Sequence, residues 1–194
     1  MDSDLKELVR LFRERDAVSY PSGVKLASGK ESSVYVNCKR LTLWGKSLGV
    51  LCGCLVTKLA KVDPQASAVA GVSVGGDPLV AGVLLEACRR TWPLEGLLIR
   101  KDVKKHGLSA GRHVEGCEPI KAPRVWVLED VISTGASSLD ALAKLRAEGY
   151  QPVGVLAIVD RQMGGLEKIQ ADGGVPAQAL LSLSQLSDTP KSPS

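Results

Sequence analysis

Two strings in this 194-residue chain carry residue types that do chemistry, at spacings the chemistry needs. The first is residues 125–138, VWVLEDVISTGASS. An apolar run ends in two adjacent carboxylates, Glu129 and Asp130, and a turn of Ser133, Thr134 and Gly135 leads into a helical pattern. Backbone N–H groups in such a turn, with the positive end of the helix dipole, form a cradle for a phosphate. Ser133, Thr134, Ser137 and Ser138 add hydroxyl donors, and Gly135 lets the backbone come close. Glu129 and Asp130 would repel a phosphate that faced them, so they suit the hydroxyls of a sugar joined to it. The second string, Arg100-Lys101-Asp102-Val103-Lys104-Lys105-His106, sets four fixed cations against one anion. Such a run is costly to hold together unless it faces solvent or a polyanion.

Elements must position these groups. Residues 3–16 read as a helix with Leu5, Leu8, Val9 and Phe12 on one face, and residues 46–61 as a second with Leu48, Leu51, Leu55 and Leu59 aligned. Between them a polar, Gly-rich segment, residues 21–37, ends in the β-prone Val34-Tyr35-Val36. Residues 66–74 form a buried-strand run that stops at Gly75-Gly76-Asp77-Pro78, where Asp77 suits an N-cap and Pro78 a first helical turn. That helix runs to about Arg90. Residues 96–99 make a short strand that delivers the basic run, and residues 125–128 a strand ending at the acidic pair. A helix over 136–148 and a strand over 152–159, ending in Asp160-Arg161, follow. This alternation predicts an α/β fold, a largely parallel central sheet flanked by helices. In such sheets ligands bind at the C-terminal strand ends. Four of those ends, at residues 73–76, 100–101, 129–130 and 160–161, collect the polar residues on one edge.

Composition narrows the class. Hydrophobic residues are 44% and charged residues 24%, which is globular, and one Phe, three Trp and three Tyr leave an aliphatic core. Lys and Arg exceed Asp and Glu by 25 to 21, too little to argue for nucleic acid. The N-terminal Asp2, Asp4, Lys6 and Glu7 do not resemble a secretory leader, and the apolar stretch 47–57 is short of the roughly 20 residues a bilayer span needs. Five cysteines without a CxxC spacing predict reduced, buried thiols in a cytoplasmic protein, and Cys52-Gly53-Cys54 is a weak metal candidate. No membrane or nucleic-acid partner is expected. Residues 187–194 read as a disordered tail, behind a single domain.

The full acidic-pair string resembles the phosphoribosyl-pyrophosphate motif of type I phosphoribosyltransferases. The basic string with Gly107 looks like the RKxxKxHG loop of the orotate phosphoribosyltransferase family within them. Ser28-Gly29-Lys30-Glu31-Ser32, Arg40-Leu41-Thr42-Leu43 and Asp160-Arg161-Gln162 are similar to further segments of that family, over roughly residues 20–165. The resemblance implies a small N-terminal hood, about residues 1–43, on an α/β core of about 44–186. It implies transfer of the phosphoribosyl group of 5-phosphoribosyl 1-diphosphate to orotate, giving orotidine 5′-phosphate and diphosphate.

Matched residue by residue, Arg100, Lys101, Lys104 and His106 fall on diphosphate contacts, with Lys104 the one most tied to catalysis. Glu129, Asp130, Val131, Ile132, Ser133, Thr134, Gly135, Ala136 and Ser137 match the segment that holds the ribose and 5′-phosphate, and the acidic pair joins Lys104 as the expected catalytic set. Ser133 matches a residue that also touches orotate, and Arg161 the arginine that pairs with its carboxylate. Tyr35 and Val36 fall where the family places aromatics against the base, and only Tyr35 is aromatic. Mg²⁺ is implied as cofactor, held through the diphosphate and not by protein ligands. A homodimer that shares the basic loop is implied too. The glycines after His106 fit a mobile loop that closes over the diphosphate.

The chain departs from the family where Ala27 and Gly75 stand at positions that are Lys in some members, and where Glu31 and Ser33 replace a Lys and a Pro. Two alternatives share the fold: a purine or xanthine phosphoribosyltransferase, and a non-catalytic sensor of phosphoribosyl pyrophosphate. A purine offers Arg161 no carboxylate, and a sensor has no use for the loop cations. A dinucleotide-binding module would need a GxGxxG after the first strand, which is missing.

Overall fold

The computed structural model describes residues 3–19, 24–25, 31–32, 34–102 and 111–187. In chain order the elements are α1 (Ser3–Glu14), β1 (Val18–Ser19), β2 (Val24–Lys25), β3 (Glu31–Ser32), β4 (Tyr35–Val36), α2 (Lys39–Thr42), α3 (Gly45–Val62), β5 (Ala68–Val72) and α4 (Asp77–Arg89). Then come β6 (Glu95–Ile99), β7 (Val114–Gly116), a 3₁₀ turn (Pro119–Lys121), β8 (Val125–Ile132), α5 (Ala136–Ala147), β9 (Pro152–Asp160), α6 (Gly165–Gly173), β10 (Ala177–Ser182) and α7 (Leu183–Ser187).

Six strands form one sheet in the order β10-β9-β8-β5-β6-β7, and only the β6–β7 pair is antiparallel. The expected α/β architecture is therefore present. Side chains of β8 alternate between the sheet faces. Trp126 and Leu128 join Leu51, Leu55, Leu59, Leu79 and Val83 of α3 and α4, while Val125 and Val127 join Ala141, Leu142, Leu145 and Ile169 of α5 and α6. With helices on both faces, the strands must be apolar throughout, which is how they read. N-terminal to the sheet, β1 pairs with β4 and β2 with β3, both antiparallel.

Several expectations need correction. β8 does not end at the acidic pair. It continues to Ile132, because β9 goes on pairing with it as far as Ile132↔Asp160. Gly76, not Asp77, takes the N-cap position of α4, and the Asp77 carboxylate instead accepts from Ser73 Oγ at 2.7 Å. Cys38, Cys52 and Cys54 are buried, but Cys88 is exposed and Cys117 half-buried. Ser187 belongs to α7, its hydroxyl donating to the Leu183 carbonyl at 3.0 Å, and the rest of the expected tail lies outside the described residues. β7, α6 and β10 have no counterpart in the sequence reading. Among the described residues no helix is long and apolar enough to cross a membrane.

At the opposite edge from the polar strand ends, Asp63 ties α3 to β8. Its Oδ2 accepts from Trp126 Nε1 and from Arg124 Nη2, both at 2.9 Å. Burial pushes this carboxyl up, but the two donors outweigh it and hold it below the usual carboxylate range. Asp63→Ala would leave the indole N–H of a residue only 2% exposed without its acceptor. We expect a loss of about 2 kcal/mol, read as a lower denaturant midpoint at unchanged slope.

Candidate active site

The site lies where the sheet order reverses. β5 is the first strand of the sheet in sequence; the chain passes to β6 on one side and then crosses to β8 on the other. Pairing between β5 and β8 stops at Gly71↔Leu128, yet β8 runs four residues further beside β9. Beyond Leu128, β8 therefore has no strand paired on its β5 side, and the sheet divides there at the switch point, the crevice position where α/β sheets bind ligands. The Ser73–Gly76 turn, Arg100–Lys101, the Ser133–Gly135 turn and Arg161 all sit at the C-terminal ends of the four parallel strands β5, β6, β8 and β9.

The turn after β5 packs backbone on backbone. A Cβ on Gly76 would fall 2.6 Å from Gly71 Cα, and one on Gly71 would fall 2.8 Å from the Gly76 carbonyl oxygen. Next to it Gly75 is unconstrained by main chain: a Cβ there would lie 3.6 Å from Asp130 Oδ2. The Asp130 carboxylate thus stands beside this Gly-Gly turn. Its other oxygen accepts from the Val131 N–H at 2.8 Å, and the Asp130 carbonyl receives the Cys38 thiol at 3.7 Å.

The acidic pair divides. Asp130 is half-buried and borders the crevice, whereas Glu129 is 8% exposed and accepts from Ser138 Oγ at 2.8 Å. Ser138 is accordingly turned to Glu129 and is no free donor to a phosphate, contrary to the expectation for that hydroxyl. Burial, reinforced by the Asp130 charge and opposed by the Ser138 bond, pushes the Glu129 carboxyl up to about 7. The folded chain then holds a proton that the unfolded chain releases between pH 4.5 and 7. Stability should be full below that window, fall across it and level off above. Glu129→Gln should flatten the fall, which is on the order of 2–3 kcal/mol, in melts taken at pH 5 and pH 8.

The second turn follows β8. Gly135 is the N-cap of α5 at φ +78°, a conformation that favours glycine, and the first N–H groups of α5 have no intrahelical acceptor. Ala136 and Ser137 are exposed there, Ser133 and Thr134 half-buried, Val131 half-buried and Ile132 buried. Gly165 closes the turn from behind, since a Cβ on it would sit 2.5 Å from the Ser133 carbonyl oxygen. Sequence reasoning missed Gly165. The doublet Gly164-Gly165, just after a strand end, was its only signal.

Arg161 follows β9 and is 9% exposed. Its N–H donates to the Ile132 carbonyl at 2.9 Å, its Nη2 to the Val34 carbonyl at 3.0 Å, and its Nη1 approaches Ser133 Oγ at 3.5 Å. Three segments predicted to share a ligand are so brought together: the end of β9, the phosphate-type turn, and the residue before β4. Tyr35 of β4 is 44% exposed. Arg100 goes elsewhere. Its guanidinium is exposed and pairs with Glu115 of β7 at 2.5 Å, while Lys101 is exposed. Lys104, His106, Ala27, Lys30 and Ser33 lie outside the described residues.

No family model matches the chain. The orotate phosphoribosyltransferase of Sorangium cellulosum (strain So ce56) is 42% identical over 179 residues, 92% of this chain and 90% of that protein. Among solved structures, the orotate phosphoribosyltransferase of Mycobacterium tuberculosis H37Rv in complex with Fe(III) dicitrate superposes with a TM-score of 0.75 at 30% identity, over 94% of this chain and 98% of its own. The same enzyme in complex with 5-phospho-alpha-D-ribosyl 1-diphosphate gives 0.74 at 29%, over 95% and 99%. With two-fifths identity along nine-tenths of its length, and with both turns and the arginine at one crevice, the chain belongs to the orotate phosphoribosyltransferase family.

Proposed function

We propose that the chain transfers the phosphoribosyl group of 5-phosphoribosyl 1-diphosphate to orotate. The observation that carries this reading is the convergence of Asp130, the Gly75-Gly76 turn, the Ser133–Gly135 turn and Arg161 on the switch-point crevice. A bond forms from a ring nitrogen of orotate to the anomeric carbon as the bond from that carbon to the diphosphate oxygen breaks. Positive charge grows on the ribose and negative charge on the leaving group, so the catalysis is mainly electrostatic.

In this reading the α5 N-terminus, over Ser133 to Ser137, takes the 5′-phosphate, with Val131 and Ile132 shaping the approach. Asp130 accepts from the ribose hydroxyls, and Glu129 stands behind it, accepting from the Ser138 hydroxyl. The backbone of Gly75 faces the diphosphate, together with Lys104, His106, Arg100 and Lys101, whereas the Gly76 N–H is bonded to the Val72 carbonyl at 2.8 Å. For Arg100 that role means leaving Glu115. Arg161 grips the orotate carboxylate through a planar fork, and Tyr35 lies against the ring.

The oxygens at the crevice, from Asp130 and the turn hydroxyls, suit a hard cation, though among the described residues no group of three His, Cys, Asp or Glu could hold one. We assign Mg²⁺ to the diphosphate of the substrate, whose charged oxygens suit a hard cation and where it would neutralise charge on the leaving group. A homodimer sharing the basic segment, a cytoplasmic location, and a hood of about residues 1–43 over a core of 44–186 complete the proposal.

The test mixes protein, orotate, phosphoribosyl pyrophosphate and Mg²⁺ and follows orotate absorbance. Loss that needs all of them, stops with a chelator and reverses with diphosphate is expected. Tight binding of phosphoribosyl pyrophosphate without turnover would overturn the enzyme reading in favour of a sensor.

A further inference from the structure

The basic segment leaves the sheet after β6 and returns at β7, and both of its feet are held by one helix. At the outgoing foot, Lys144 Nζ of α5 donates to the Arg100 carbonyl at 3.2 Å and to the Lys101 carbonyl at 3.0 Å. At the returning foot, Glu148, the C-cap of α5, accepts from the His113 N–H, from the Val114 N–H at 3.1 Å and from Arg112 Nε at 3.0 Å. The feet also meet each other, the Arg100 N–H donating to the His113 carbonyl at 2.8 Å. Lys144 and Glu148 are both largely buried, at 15% side-chain exposure each. Lys144 is further oriented by Asp140, one turn earlier on α5, at 2.8 Å.

The chemistry is matched to the task. An ammonium can only donate and it takes the carbonyls, whereas a carboxylate can only accept and it takes the amides. Surface ion pairs alone would do little, but these charges bond to backbone, and so set where the chain enters and leaves. The same helix begins at Gly135, in the turn that receives the 5′-phosphate. We propose that Lys144 and Glu148 are positioning residues, which fix on α5 where the basic segment starts and ends and so place its cations for transfer. The proposal rests on the reaction given above.

Amide exchange and steady-state kinetics on the full chain test it. In Lys144→Met, exchange at Arg100, His113 and Val114 should rise about tenfold as the feet loosen. The kcat should fall about tenfold while KM for orotate stays within roughly twofold, since a small misplacement of charged groups costs the chemical step. Lys144→Arg should restore most of both. Glu148→Gln, which keeps the shape of the acceptor and loses its charge, should lower kcat in the same sense without unfolding α5. In a Lys104→Ala background the further loss from Lys144→Met should shrink to a small fraction, because the cation most tied to catalysis is then absent.

Unchanged exchange at the feet would overturn the anchoring. Raised exchange with unchanged kcat, or an equal kcat loss in the Lys104→Ala background, would overturn its link to transfer. Absence of any orotate-dependent turnover in the parent chain would instead sink the proposed reaction, and exchange would still decide whether the helix holds the feet.

Discussion

Arg161→Ala is expected to raise the orotate concentration for half-maximal turnover by about 10²–10³-fold, the usual cost of truncating one partner of a buried charged pair. In the proposed site orotate would bring a carboxylate to an arginine that is 9% exposed, so little water would be present to replace the lost bonds. The substitution also removes the Nη2 bond to the Val34 carbonyl and withdraws Nη1 from Ser133. Binding of phosphoribosyl pyrophosphate, measured by calorimetry, should change little, because the Gly75-Gly76 turn is untouched and the α5 N-terminus loses only the 3.5 Å contact at Ser133. Arg161→Lys keeps the charge and loses the fork, and should fall between parent and Ala. An orotate dependence unaltered in Arg161→Ala would take this residue out of the substrate site.

The second large effect separates two neighbouring glycines. Gly76→Ala puts a methyl 2.6 Å from Gly71 Cα and 2.6 Å from the Val72 nitrogen. Both obstacles are main chain of a central strand, so β5 or the turn must move, at a cost on the order of 3–4 kcal/mol. Gly75→Ala meets nothing nearer than 3.6 Å, the Asp130 carboxylate, and should leave the melting temperature almost unchanged. Any penalty there should appear as weaker phosphoribosyl pyrophosphate binding. Thermal melts of the two variants side by side check this; equal melting temperatures would mean that the turn is not packed as described.

The layout of the sheet was legible because each buried strand is an unbroken apolar run and each site turn carries glycine. β5, β6, β8 and β9 are all anticipated within a few residues, as are the helices that follow β5 and β8. What escaped was set by partners distant in sequence. The extra residues of β8 exist because β9 continues beside them, and nothing in Glu129-Asp130-Val131-Ile132 announces that neighbour. Val114-Glu115-Gly116 is too short and polar to read as a strand, and it forms one by pairing back on β6. The division of the acidic pair escaped for the same reason. Two adjacent carboxylates look alike in a string, and only the burial of one beneath α5, with Ser138 in reach, makes them different.

Helix α5 is also a lever. Lys144 lies eight residues beyond Ala136, which at 1.5 Å per residue is about 12 Å along the axis. A tilt of roughly 5° about the phosphate turn would thus carry the lysine about 1 Å sideways, a displacement large enough to matter to chemistry. The angle of the rod is held by Ala141, Leu142 and Leu145, all without exposed surface, pressed on β8 and on α6. Leu142 touches no ligand in any reading of the site, yet it helps set the aim of the cations. In this molecule the tightness of one oily seam is part of the geometry proposed for phosphoribosyl transfer.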